Sequence, residues 1–171
     1  MDRTTTTAAA TPTRRVFAMM DADGDSVITA DDYLSRIERT VTATGRTQDD
    51  PLVVAARAEG RKAWAAMDAN GDGLLTFDEY DAWVDGDKFD HICRFALGAL
   101  FDLADTDGDG ALDKAEFTTL RTALNNPPDN AEAAFNALDT DRDGRVTRDA
   151  YLAAIRAYVV GDSSPMGDAL Y

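Results

Sequence analysis

Acidic residues recur at alternate positions in four twelve-residue stretches, and this spacing constrains the chain more than any other feature. The stretches are DADGDSVITADD (21–32), DANGDGLLTFDE (68–79), DTDGDGALDKAE (105–116) and DTDRDGRVTRDA (139–150). In such a stretch, side-chain oxygens at positions 1, 3 and 5, a backbone carbonyl at 7, a side chain or water at 9 and a two-oxygen carboxylate at 12 can converge on a cation that takes six to eight hard oxygens. Glycine at position 6 permits the turn. One acidic, glycine-rich loop is weak evidence; four in one chain are a repeat.

The surroundings of the stretches repeat too. Each has an apolar residue at position 8 (Ile28, Leu75, Leu112, Val146), where two neighbouring loops can exchange backbone hydrogen bonds. An aromatic ring stands four residues before each first position (Phe17, Trp64, Phe101, Phe135) and another directly after each twelfth (Tyr33, Tyr80, Phe117, Tyr151). That register requires a helix on either side of every loop, with the rings turned into a shared core. Helix starts are expected at Asp50-Pro51, at Asp87 and at Pro128-Asp129.

With these residues in place, the chain resembles the EF-hand superfamily over roughly residues 14–158. Loops starting at 21, 68, 105 and 139 are unevenly spaced, with a longer connection (Thr44–Asp50) inside the first pair. In this the chain looks more like sarcoplasmic calcium-binding proteins and the bacterial protein calerythrin than like calmodulin. The resemblance implies an all-α fold of four helix–loop–helix units, paired as residues 14–86 and 87–160 and packed into one compact unit with short antiparallel β pairing between loops. It also implies Ca2+ as the bound ion and calcium buffering as the main task. Residues 1–13 read as a disordered tail, and residues 161–171 as a C-terminal tail that is either unpacked or folded over a groove through Met166, Leu170 and Tyr171.

The four loops are not equivalent. Asp68, Asn70, Asp72, the Leu74 carbonyl and Glu79 complete the second; Asp105, Asp107, Asp109, the Ala111 carbonyl and Glu116 complete the third, with Asp113 at the water-bridging position. The third carries more carboxylates, so it is expected to bind more tightly within the wide EF-hand range of ~10⁻⁹ to 10⁻³ M. The first offers Asp21, Asp23, Asp25, the Val27 carbonyl and Asp32. Ser26 replaces its turn glycine, at roughly 1–2 kcal/mol if left-handed, although Gly24 can share the adjustment. Asp32 is one methylene short, which tilts this loop toward Mg2+. The fourth keeps Asp139, Asp141, Asp143 and the Arg145 carbonyl but has Ala150 at position 12, and Asp149 beside it should point elsewhere. A missing carboxylate worth about 3–4 kcal/mol lowers affinity by two to three decades. This loop reads as a former site kept for pairing with the third; weak binding completed by water is the alternative.

The remaining features narrow the function classes. A net charge of −15 repels nucleic acid and anionic membranes, no apolar run approaches the ~20 residues of a membrane span, and no protein partner is identifiable, so a monomer is expected. A single cysteine, Cys93, allows no intramolecular disulfide. With the absence of a signal-like start, this points to the cytoplasm. His91 and Cys93 assemble no catalytic set, Cys93 reads as a buried thiol, and Arg14-Arg15 as a solvated helix start; no enzyme is expected. Arginine far outnumbers lysine, which hints at a GC-rich, bacterial source. The leading reading is a cytoplasmic calcium buffer or transporter binding two or three ions, and the alternative is a calcium-responsive sensor that regulates an unknown partner.

Overall fold

Every acidic stretch is entered by one helix and left by another, because each carries helix-start chemistry at its far end. The computed structural model describes residues 11–161. Helix α1 (Pro12–Met20) leads to strand β1 (Val27–Thr29) and α2 (Ala30–Thr44); α3 (Pro51–Met67) leads to β2 (Leu74–Thr76) and α4 (Phe77–Trp83). Next come α5 (Gly86–Lys88), a π-helical stretch (Phe89–Cys93) and α6 (Arg94–Ala104), then β3 (Ala111–Leu112) and α7 (Lys114–Ala123). A 3₁₀ turn (Pro128–Asn130), α8 (Ala131–Leu138), β4 (Val146–Thr147) and α9 (Arg148–Val159) complete the described chain.

Helix starts follow local chemistry, with two departures from expectation. Thr11 accepts a hydrogen bond from the Arg14 N–H and Pro12 occupies the first turn, so α1 begins inside the segment expected to be a tail. Asp85, not Asp87, caps the helical run that includes α5, accepting from the Lys88 N–H. Asp50 caps α3 as expected. Pro128 and Asp129 form the 3₁₀ turn ahead of α8.

The loops pair as their position-8 residues predict. Strands β1 and β2 are antiparallel with Ile28 opposite Leu75, and β3 and β4 with Leu112 opposite Val146. All four side chains are fully buried. The rings flanking the loops are buried as well, apart from half-buried Trp64. They meet across loops: Phe17 is 6.0 Å from Tyr80, and Phe101 is 5.5 Å from Tyr151. The two pairs do not stand apart, since α2 packs on α7 and α3 on α6. No helix among the described residues is long and apolar enough to cross a membrane.

Arginines tie the halves together where helices run out of partners. The last carbonyls of a helix have no intrahelical donor, and Arg46, in the α2–α3 connection, supplies one for α6. Its Nε donates to the Leu103 carbonyl at 2.8 Å, and its Nη2 donates to those of Asp102 at 3.3 Å and Asp105 at 2.7 Å. Asp50 holds the same guanidinium at 3.0 Å. Arg39 does likewise for α7, donating to the Ala123 carbonyl at 2.7 Å. From the other side, Arg148 of α9 pairs with Asp102 at 2.8 Å and Arg156 with Asp90 at 2.8 Å. Gly98 leaves room for the Arg148 guanidinium, which a Cβ there would strike.

Replacing Arg46 by Ala strips the end of α6 of its donor and is expected to lower stability by about 2 kcal/mol. Urea unfolding of variant and parent measures the change; an unaltered midpoint refutes the clamp.

Candidate metal centre

The loops must gather carboxylates that repel one another, and the backbone offers the compensation. In each, the first aspartate accepts from the N–H at position 6: Ser26 to Asp21 at 2.9 Å, Gly73 to Asp68 at 3.1 Å, Gly110 to Asp105 at 2.9 Å and Gly144 to Asp139 at 3.0 Å. The position-5 aspartates accept from the next backbone N–H but one, at 2.9 Å in all four: Val27 to Asp25, Leu74 to Asp72, Ala111 to Asp109 and Arg145 to Asp143. Aiming those donors inward takes left-handed backbone at positions 4 and 6. Ser26 accordingly has φ +73° in the first loop, and Arg142 has φ +60° in the fourth. A non-glycine residue in that region costs roughly 1–2 kcal/mol, so both loops hold their shape against strain. The position-4 requirement is not in the sequence reading, although glycine at 24, 71 and 108 signals it.

Position 12 separates the loops. It is also the third residue of the exiting helix, and position 9 is its cap. Thr29 with Asp32, Thr76 with Glu79, and Asp113 with Glu116 form reciprocal capping boxes. In the second and third loops the longer glutamate also reaches back across the loop: Glu79 Oε1 accepts from Asn70 Nδ2 at 2.8 Å, and Glu116 Oε1 from the Thr106 N–H at 2.8 Å. Asp32 engages Thr29 through Oδ2, at 2.9 Å to the N–H and 2.6 Å to the hydroxyl. In the fourth loop Thr147 still caps the Ala150 N–H at 3.3 Å, but Ala150 has nothing to return. Asp149 turns to Arg94, 3.0 Å away.

Three acidic triads bring a carboxylate oxygen of every member within 4.8 Å of the others: Asp21, Asp23 and Asp25; Asp105, Asp107 and Asp109; Asp139, Asp141 and Asp143. The second loop has Asn70 at its middle position and so no triad, though the Asn70 amide ties Asp72 and Glu79 into one network, while Asp68 accepts from the Gly73 N–H. All-oxygen clusters of this kind suit Ca2+ or Mg2+ rather than softer metals. In the third loop, partial desolvation, the charge of Glu116 and the hydrogen bond and charge of Asp105 raise the Asp107 pKa above its ordinary value. One cation already stands there: Arg145 Nη1, from the fourth loop, forms an ion pair with Asp109 Oδ2. From its position in the fourth loop alone, Arg145 offers only its backbone carbonyl to an ion.

His91 and Cys93 do not join this chemistry. His91 is exposed, with Nδ1 2.9 Å from the Asp87 carbonyl, and burial pushes the Cys93 thiol up to about 11. Arg14 stacks 3.8 Å over the Phe77 ring.

Comparison with known proteins agrees with this geometry. Residues 94–156 match the EF-hand domain pair family and residues 65–84 the EF hand family. A Streptomyces coelicolor calcium-binding protein, described in connection with prokaryotic calcium-mediated regulation, has a similar structure at 29% identity and TM-score 0.75, covering 89% of this chain and 98% of that one. The photoprotein berovin of the ctenophore Beroe abyssicola, in its Ca2+-loaded apoprotein state, shares the fold at 23% identity and TM-score 0.70, covering 86% of this chain and 85% of its own. Berovin's three calcium-binding loops are also described as binding magnesium, in a structure 22% identical with TM-score 0.64 that covers the same shares. Among curated proteins, none matches the chain in sequence. The chain is an EF-hand protein. It is a calcium-binding member of that superfamily, with three aspartate-rich candidate loops.

Two outcomes test the loops. Ala150→Glu supplies the missing clamp and the missing half of a capping box, so it is expected to add one bound ion in a calcium titration and to stabilise the metal-free protein by about 0.5–1 kcal/mol; no added ion means that the fourth loop is not a lapsed site. The second outcome concerns pH. With its folded pKa above the unfolded one, Asp107 favours the metal-free fold fully below the ordinary aspartate value of ~3.9, and that contribution is lost as pH rises through the folded value. Calcium should therefore raise the Tm most at neutral pH and progressively less as Asp107 protonates, as thermal melts across pH with and without calcium will register.

Proposed function

We propose that the chain is a calcium buffer or transporter made of four EF-hand units in two pairs, 14–86 and 87–160, that holds two or three ions as a cytoplasmic monomer. The second and third loops are its strong sites, each with a glutamate folded back across the loop. The first takes Ca2+ or Mg2+ through the shorter Asp32. The fourth stays empty at micromolar calcium and serves to brace the third through Val146 and Leu112. The observation that carries the buffer reading is the use of the apolar helix faces against each other, α2 on α7 and α3 on α6. A sensor that opens for targets presents a methionine-rich surface, whereas Met19, Met20 and Met67 line a partly open cavity between the helices here.

A second reading, a calcium-responsive regulator, is favoured by the Streptomyces relative described in calcium-mediated regulation and by the pairing of a complete third loop with an incomplete fourth. The two readings differ in shape change. A small-angle scattering profile that stays the same on calcium saturation supports the buffer, and an opened particle supports the regulator.

Calorimetric titration of the metal-free protein with calcium, repeated in magnesium, counts the sites. Glu79→Gln and Glu116→Gln are each expected to remove one strong site, since each exchanges a two-oxygen anion for a neutral amide with one acceptor. Unchanged stoichiometry in both variants overturns the assignment.

A further inference from the structure

The described core holds a partly open cavity of about 100 Å³ where α1, α2, α6, α7 and α9 converge. On the same measure a water needs about 10–15 Å³, so the space takes a molecule of roughly ten water-sized groups. Its walls are mostly apolar, with Met20, Met67, Leu97 and Ile155 among them. Two guanidiniums, Arg36 and Arg121, also line it, and no carboxylate does among the described residues. That is a reversal of the whole molecule, in which 32 acids face 17 bases.

The arginines are placed at a cost. Arg121 is 2% exposed and donates through Nη2 to Asn130 Oδ1 at 2.7 Å. Arg36 lies 3.8 Å over the Tyr33 ring, and its Nε is buried without a hydrogen-bond partner among the described residues. Both guanidiniums bear on Tyr151, whose pKa burial lifts to about 12 against their pull. Arg121 is thus a buried cation and Arg36 a half-buried one with an unfilled buried donor, and each is unfavourable unless an anion or acceptor meets it. Plain core packing explains the methionines and the rings, but apolar residues of similar volume pack such a space at no electrostatic cost. The pair of arginines is explained by what they can hold.

We propose that this cavity binds a small organic carboxylate, its anionic head between Arg36 and Arg121 and its apolar body against Met20, Met67, Leu97 and Ile155. The site is separate from the calcium loops, and the inference stands whether or not the buffer reading holds. The test uses the full chain, metal-free and calcium-loaded, titrated calorimetrically with 4-phenylbutyrate and with its neutral counterpart 4-phenylbutan-1-ol, with thermal shift as a second readout. The acid is expected to bind at least about tenfold more tightly than the alcohol, as charge-assisted hydrogen bonds require. Arg36→Gln should abolish that preference while leaving the alcohol's affinity unchanged, and Ile155→Trp, which fills the space, should weaken both. Equal affinity for acid and alcohol, a preference that survives in a folded Arg36→Gln protein, indifference to Ile155→Trp, or no binding of either compound at millimolar concentration overturns the proposal.

Discussion

Mutual repulsion of carboxylates crowded into a few residues is the constraint from which the rest of this fold follows. Three aspartates at alternate positions cannot be held together by their own side chains, so the backbone must turn N–H groups onto them, and it does so through two left-handed residues per loop. The turned loop then emerges extended just long enough for two or three residues to pair with a neighbouring loop. The exiting helix starts on the position-9 side chain, and in three loops the position-12 carboxylate returns the hydrogen bond. Cation binding, β pairing and helix initiation therefore draw on the same few atoms, and a loop that loses one of them loses part of the others.

The fourth loop illustrates this. Its turn, its paired strand and the donors to Asp139 and Asp143 are all in place, yet Ala150 forfeits the position-12 carboxylate and with it the returning half of the capping box. What the loop contributes to its neighbour is a positive charge: Arg145 against Asp109. That guanidinium stands against a carboxylate of the third loop's triad, so the fourth loop bears on the third through charge as well as through the strand pair.

Much of this was legible in the residues. The position-8 residues, the flanking rings, the left-handed Ser26 and the outward turn of Asp149 all follow from spacing, because each depends on geometry inside one repeat. Features made between distant segments were not legible. Nothing local to Arg46 or Arg39 announces that they end α6 and α7, helices more than fifty residues away in sequence. Nor does the sequence near Arg36 and Arg121 mark them as neighbours across a cavity. Asp85 rather than Asp87 is the cap, since both begin plausible helices and the sequence alone does not choose between them. Residues 1–10 and 162–171 lie outside the described structure, and with them the expectations about Met166, Leu170 and Tyr171.

The π-helical stretch Phe89–Cys93 carries a different consequence. A π turn accommodates one residue more than the α-helix around it, and a single residue is worth about 100° of rotation. Removing one residue there would leave a regular helix and a perfectly soluble sequence, but everything on its N-terminal side would swing round relative to α6. Asp90 would leave Arg156, and Phe89, now 1% exposed, would face another direction. This segment is thus a counter rather than a code: evolution can rewrite its letters more freely than it can change their number.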